Sequence, residues 1–256
     1  MEDLDGKVAF VTGGSGGLGA AIATALADQG AAVAVADLPS RSAQVSALVD
    51  RLQSNRHAHA AGIELDVRHP SSIRAAVEQT VAQLGGLDIG VCNAGLNVRK
   101  PSLEVTEDDW DTVLDVNLRG VFFSAQAVAA HLVQQGRGGK IVLIASIMGL
   151  VGSPFGHAAP YCASKAGVVN LARTLAVEWA SNNITVNAVA PTYAPTPLTE
   201  ALFSDESRLQ AVLDRTPMAR LAPPESIADA VAFLASARAD MITGVTLPVD
   251  GGWTAW

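Results

Sequence analysis

The chain has 256 residues, 49% hydrophobic and 16% charged, and its 17 Lys and Arg against 25 Asp and Glu leave a net charge of −8. This is too apolar for a disordered chain, and it lacks the basic stripe expected of a nucleic-acid binder. Apolar runs such as 31-AAVAVA-36 fall far short of the roughly 18 residues of a membrane span, and the acidic start MEDLDGKVAF does not read as a signal peptide.

Two cysteines, Cys92 and Cys162, offer neither a disulfide framework nor metal-ligand spacing. A cytoplasmic globular protein is therefore expected, with no metal, nucleic-acid or membrane partner.

Along the chain, short β-rich runs alternate with Ala- and Leu-rich stretches. Strands are predicted near 7–12, 32–37, 59–66, 87–92, 140–146, 184–190 and 245–250. Helices are predicted over 17–30, about 40–54, 70–84, 106–135, 160–181 and 224–237, with starts at Ser71–Ser72 and at Thr106. Most of the strands are apolar at both alternating positions, as strands covered on both faces are. The pattern predicts an α/β, doubly wound Rossmann fold of about seven parallel strands flanked by helices, in a single domain over 1–256.

The first strand enters 12-TGGSGGLGAAIATALADQGA-31, a Gly-rich turn that opens a helix. Glycine lets a phosphate approach the backbone amides, and the helix N-terminus faces it with partial positive charge. Asp37 closes the second strand 18 residues after Gly19. A carboxylate there can accept from the adenosine ribose hydroxyls and repels a 2′-phosphate. No Arg or Lys flanks the turn, the nearest after Asp37 being Arg41, so NAD is expected over NADP.

Further along, the predicted helix 106–135 carries Asn117 in an apolar stripe with Trp110, Val113, Leu114, Val121, Ala125, Val128 and Leu132, where an amide must be hydrogen-bonded. Ser146 ends the fifth strand at the edge where open parallel sheets bind ligands, placed to hold a substrate oxygen. Tyr161 and Lys165 lie four apart, on one helix face. An ammonium beside the phenol, with a nicotinamide cation nearby, would favour the phenolate and make Tyr161 a general acid/base. The segment 191–224 holds six of the 12 prolines and reads as a substrate lid, with Leu198, Leu202, Phe203, Leu209, Val212 and Leu213 available to cover an apolar ligand.

Thr12-Gly13-x3-Gly17-x-Gly19, 93-NAG-95, Asn117, Ser146 and 161-YCASK-165, in that order, resemble the short-chain dehydrogenase/reductase family over essentially the whole chain. The resemblance implies a catalytic set of Asn117, Ser146, Tyr161 and Lys165. It implies cofactor contacts from Gly13, Ser15, Gly17, Leu18, Gly19, Asp37, Asp66, Val67, Asn93, Ala94, Gly95, Tyr161, Lys165, Pro191 and Thr196. Lys165 would also hold the nicotinamide ribose, and Asn117, through its carbonyl or a helix kink, would hold a water that relays protons to Lys165. Two positions depart from the family pattern: Cys92 precedes Asn93 where Asn is usual, and Thr192 follows Pro191 where Gly is common.

The stretch 96-LNVRKPSLEV-105 and the terminus 251-GGWTAW-256 are similar to sugar-acid and polyol members of the family such as gluconate 5-dehydrogenases. Arg99 or Lys100 would meet a carboxylate, and Asn97, His157 and Tyr193 would meet hydroxyls. The expected reaction interconverts a secondary alcohol and a ketone on a sugar, sugar acid or polyol. A 3-oxoacyl-thioester (acyl carrier protein) reductase using NADPH is the alternative enzyme, although Asp37 and the lack of an Arg between Ser15 and Gly17 count against it. A catalytically silent dinucleotide-sensing protein is the alternative outside enzymology. The apolar faces of 106–135 and 160–181 are too extensive for one subunit, and the family resemblance implies a homotetramer through them, with Trp253 and Trp256 expected at a subunit boundary.

Overall fold

Seven strands pair in parallel in the order β3-β2-β1-β4-β5-β6-β7, in a computed structural model that describes residues 3–54 and 59–256, the side chains of Ala201 and Leu202 excepted. They are β1 (Val8–Thr12), β2 (Ala32–Asp37), β3 (Ala60–Glu64), β4 (Ile89–Cys92), β5 (Gly139–Ile144), β6 (Ile184–Pro191) and β7 (Thr246–Val249). β1, β4 and most of β2, β5 and β6 are buried, because helices cover both faces of the sheet. The helices α1 (Gly17–Asp28), α2 (Ser42–Gln53) and α9 (Pro224–Ala235) pack Ile22, Leu26, Leu48, Ile227 and Val231 against one face. On the other face, α3 (Pro70–Leu84), α5 (Val121–Gln135) and α6 (Ala159–Trp179) contribute Ile73, Val128, Leu132, Val168 and Leu175. The strand order reverses between β1 and β4, and a cleft opens there at the carboxyl ends of the strands.

Three local features differ from the sequence-based expectations. Helix 106–135 is interrupted: α4 (Glu107–Leu114) runs into a π-helical turn at Asp115–Gly120 before α5 begins. Thr106 does cap α4, in a reciprocal box with Asp109, because its hydroxyl and that carboxylate satisfy each other's backbone N–H. Helix α3 keeps the predicted bounds 70–84, but no serine caps it: His69 is the N-cap residue, and the Ser72 hydroxyl accepts from the Asp66 N–H instead. Trp253, expected at a subunit boundary, is buried within its own chain against Tyr193, with ring centres 5.3 Å apart.

Residues 191–224 carry two short helices, α7 (Glu200–Phe203) and α8 (Glu206–Arg215). Val212 and Phe203 pack into an aromatic cluster with Tyr193, Trp253 and Phe155, while Leu198 stays 47% exposed. The Leu202 side chain lies outside the described residues. Among those residues no helix is long and apolar enough to cross a membrane.

Candidate active site

A cavity of about 920 Å³ occupies the cleft at the strand ends. Its floor is the Gly-rich turn. Gly13 and Gly17 adopt φ +61 and +52, the left-handed region that glycine enters without strain. A Cβ on Gly19 would lie 2.0 Å from the Gly13 carbonyl oxygen, so α1 can approach the turn only without a side chain there. No side chain caps α1, so its first N–H groups remain for an anion.

The turn is tied to 93-NAG-95. The Thr12 hydroxyl accepts from the Asn93 and Ala94 N–H groups at 2.9 and 3.1 Å, and the Asn93 amide donates to the Thr12 and Gly13 carbonyls at 3.0 Å each. Gly13, Gly17, Leu18, Asn93, Ala94 and Gly95 line the cavity. Ser15 and Gly19 do not; they shape the turn from behind.

At the β2 end, Asp37 lines the cavity with both carboxylate oxygens engaged. Oδ2 accepts from the Ser15 N–H and hydroxyl at 3.1 and 2.6 Å, and Oδ1 accepts from the Leu38 N–H at 2.9 Å. The 3₁₀ turn Pro39–Arg41 brings Arg41 back to this wall, with its Nε 4.0 Å from Asp37 Oδ1. Arg41, the nearest cation after Asp37 in the sequence, reaches it by the i, i+4 spacing. Asp66 and Val67 line the same end. The Arg68 guanidinium bonds Asp66 at 2.6 Å and holds its carboxyl below the ordinary carboxylate range.

At the other end, α6 presents Tyr161 and Lys165 to the cavity beside Ser146. Lys165 is buried and donates to the Ile144 carbonyl at 2.7 Å, and burial lowers its pKa to about 8. Burial raises the Tyr161 phenol above its ordinary 10, against a downward pull from its hydrogen bond with Ser146 and from the Arg99 charge. The Ser146 hydroxyl also accepts from the Met148 N–H at 3.1 Å, which fixes its direction at the end of β5.

Asn117 sits on the π-helical turn, wholly buried and behind the cavity wall. Its carbonyl accepts from the Leu96 N–H, and its amide donates to the Leu96 carbonyl, both at 2.8 Å, and to the Ser164 hydroxyl at 3.2 Å. The amide that had to be satisfied in an apolar stripe is satisfied by clamping the 96–99 wall segment. A Cβ on Gly95 would lie 3.4 Å from Asn117 Oδ1 and 3.6 Å from Lys165 Nζ, so the three residues meet there.

Arg99, Tyr193, Pro191 and Thr196 line the cavity, as do Asn97 and Thr192. Among the described buried side-chain atoms, Asn97 Oδ1 and Thr192 Oγ1 have no hydrogen-bond partner in the protein. Lys100 is not available for a carboxylate, because Asp109 holds it at 2.6 Å. His157 is outside the lining, exposed on a loop at φ +55. Cys92 lies buried in the sheet core, where burial pushes its thiol up to about 12. Among the described residues no cluster of His, Cys, Asp and Glu suits a metal ion.

These residues fit a dinucleotide. A close-approach glycine turn and an uncapped helix start suit a pyrophosphate, a carboxylate at the end of β2 suits ribose hydroxyls, and unpartnered polar atoms lie in the cavity.

Comparison with known proteins agrees with this geometry. The family model described as enoyl-(acyl carrier protein) reductase matches residues 13–254. The chain is 42% identical over 256 residues to the 2-dehydro-3-deoxy-D-gluconate 5-dehydrogenase of Escherichia coli K12, covering 98% of this chain and 97% of that one. It is 42% identical over 251 residues to the D-threitol dehydrogenase of Mycolicibacterium smegmatis, covering 98% and 94%. Its fold superposes on a gluconate 5-dehydrogenase from Burkholderia cenocepacia, crystallised with NADP and tartrate, with TM-score 0.93 and 37% identity over 99% and 97% of the two chains.

Proposed function

We propose a substrate class, a cofactor preference and a proton route for a chain that belongs to the short-chain dehydrogenase/reductase family. As a member it is an oxidoreductase acting on CH–OH groups with a nicotinamide cofactor. The proposed substrate is a sugar acid or polyol whose secondary alcohol is interconverted with a ketone. The observation that carries this reading is Arg99: exposed on the lining of the cavity it shares with Ser146 and Tyr161, it takes part in none of the ion pairs found among the described residues. A cation left unpaired beside hydroxyl-bonding groups suits a carboxylate at one end of a hydroxylated ligand. The relatives that act on 2-dehydro-3-deoxy-D-gluconate and D-threitol support it.

In this reading Ser146 donates to the substrate oxygen, and the Tyr161 phenolate accepts the carbinol proton, returning it in the reverse direction. A nicotinamide bound here would supply the hydride acceptor or donor for the carbinol carbon and, when oxidised, a positive charge near Tyr161. Lys165 holds the nicotinamide ribose and adds its own charge near Tyr161. Asn117 positions the wall that carries Arg99. Asp37 favours NAD. Residues 191–224 act as the lid, and the assembly is a homotetramer through α4, α5 and α6. Trp110, Val133 and Val177 there are 43%, 45% and 82% exposed, apolar surface that a partner copy would cover.

The polar side chains of Arg99, Asn97 and Thr192 in the cavity lining count against a 3-oxoacyl-thioester substrate. The convergence of Ser146, Tyr161 and Lys165 counts against a silent sensor. The test is reduced-nicotinamide absorbance with NAD⁺ or NADP⁺ and a panel of aldonic and deoxyaldonic acids, polyols and hydroxyacyl thioesters. Sugar acids or polyols are expected to give the highest kcat/KM; preference for thioesters, or tight NADH binding with no turnover, would overturn the reading.

A further inference from the structure

We propose that Trp253 is a positioning residue: it holds the Tyr193 hydroxyl in place for a substrate hydroxyl and ties that wall of the cavity to the lid helix α8. The inference rests on the sugar-acid or polyol reading above and concerns what fixes the substrate end of the cavity. Tyr193 lines the cavity with Ser146, Tyr161 and Arg99. Its ring touches two others: Phe155 meets it edge-on at 6.1 Å between centres, and Trp253 lies tilted against it at 5.3 Å. The Tyr193 hydroxyl takes part in no hydrogen bond among the described residues. Burial pushes this phenol up to about 12, so it stays protonated and can both donate to a hydroxyl and accept from one.

Trp253 is itself held from two directions. The Asp250 carboxylate accepts from the Gly252 and Thr254 N–H groups at 2.9 Å each and from the Thr254 hydroxyl at 2.6 Å, which closes the backbone turn that carries the indole. The Met218 N–H donates to the Gly251 carbonyl at 3.1 Å, joining this turn to the segment that leaves α8. Arg215, the last residue of α8, lays its guanidinium over the indole ring, 5.1 Å from the centre. Yet the buried Trp253 Nε1–H finds no hydrogen-bond partner among the described residues, a cost that Phe or Leu would not carry. Stability alone does not call for an indole here; contact with both Tyr193 and Arg215 does. The aim of the Tyr193 phenol is thus set from behind, by the turn after β7 and by the end of α8.

The test is steady-state kinetics on an alditol or aldonic acid that wild type turns over, with NADH titrated into each variant. The variants are Trp253→Leu, Trp253→Phe, Tyr193→Phe and the double variant carrying Trp253→Leu with Tyr193→Phe. Tyr193→Phe and Trp253→Leu should each raise KM ~3- to 10-fold, the worth of one neutral hydrogen bond, with kcat and the NADH Kd within ~3-fold. Because Trp253 acts through the phenol, the double variant should add less than ~2-fold to Tyr193→Phe alone. Trp253→Phe, which returns a ring to the Tyr193 contact, should bring KM back toward wild type. An unchanged KM in Trp253→Leu or Tyr193→Phe, additive effects in the double variant, or a loss of kcat as large as the change in KM would overturn the proposal. Should Trp253→Leu fail to bind NADH, the surface variant Arg215→Ala carries the test: KM should rise ~2- to 5-fold, but not in the Tyr193→Phe background, and an unchanged KM overturns the proposal. Wild type that turns over neither aldonic acids nor alditols would instead overturn the substrate reading on which it rests.

Discussion

Lys165 Nζ stands 5.7 Å from the centre of the Tyr161 ring and donates its 2.7 Å hydrogen bond to the Ile144 carbonyl. The i, i+4 spacing puts both groups on the cavity face of α6, but the ammonium is anchored on β5. Burial dominates both titrations: it pulls Lys165 down to about 8 and pushes Tyr161 up. In the protein alone the lysine does not make a phenolate; a further positive charge is needed, and the oxidised nicotinamide carries one.

The depressed Lys165 predicts a pH-dependent stability. Between pH 8 and its unfolded value of 10.5 the unfolded chain still holds a proton that the native state has released. Stability therefore rises through that window, and below it the fold bears a cost of up to ~3 kcal/mol for the buried charge. Urea denaturation at pH 7 and pH 9.5 should show a gain with pH in wild type that is smaller in Lys165→Met. Equal pH slopes would show that the lysine is not penalised by burial.

Asn117 predicts a coupling between stability and the substrate wall. In Asn117→Ala, the Leu96 N–H and carbonyl lose their partners, which should cost about 2–3 kcal/mol. The freed 96–99 segment should also raise KM for substrate more than it changes NADH affinity. Urea denaturation and steady-state kinetics check both; a stable variant with unchanged KM would remove Asn117 from the positioning role.

Arg99→Ala separates substrate classes. Loss of a charge-assisted contact should raise KM for sugar acids ~10- to 100-fold and leave uncharged polyols within ~3-fold. Kinetics on a matched aldonic acid and alditol pair provide the readout. A uniform loss on both would mean that Arg99 acts on the fold or on Tyr161 instead of on a carboxylate.

Tyr161→Phe should lower kcat by roughly 10²- to 10⁴-fold, the usual contribution of a positioned acid/base, with NADH affinity nearly unchanged. Stopped-flow turnover alongside NADH titration checks this. Near-wild-type kcat would exclude the phenol as the base.

Much of this fold was legible because its signals are local. Continuous apolar runs mark strands covered on both faces, and the Gly13–Gly19 spacing marks a turn that only glycine can pack. The site residues carried by those strand ends, among them Asp37, Asn93 and Ser146, came with the pattern, and Tyr161 on α6 came with its i, i+4 spacing to Lys165.

What was not legible depends on distance in space. The π-helical turn at Asn117 inserts within an uninterrupted apolar periodicity. Arg41 returns to the cavity through a 3₁₀ turn, Lys100 is taken by Asp109, and Trp253 folds inward onto Tyr193. The imidazole of His157 suits a hydroxyl partner by its chemistry, but its place in the loop leaves it outside the cavity lining.

The chain has two tyrosines, Tyr161 and Tyr193, and both line the cavity, so ultraviolet titration of tyrosinate reports on this site alone. Without dinucleotide both phenols should ionise above pH 10, with Tyr193 pushed to about 12 by burial. With saturating NAD⁺, one phenol should ionise roughly 2–3 pH units lower, and that transition should vanish in Tyr161→Phe while persisting in Tyr193→Phe. A titration that NAD⁺ leaves unchanged, or a low transition that survives in Tyr161→Phe, would contradict the assignment of Tyr161 as the group that carries the proton.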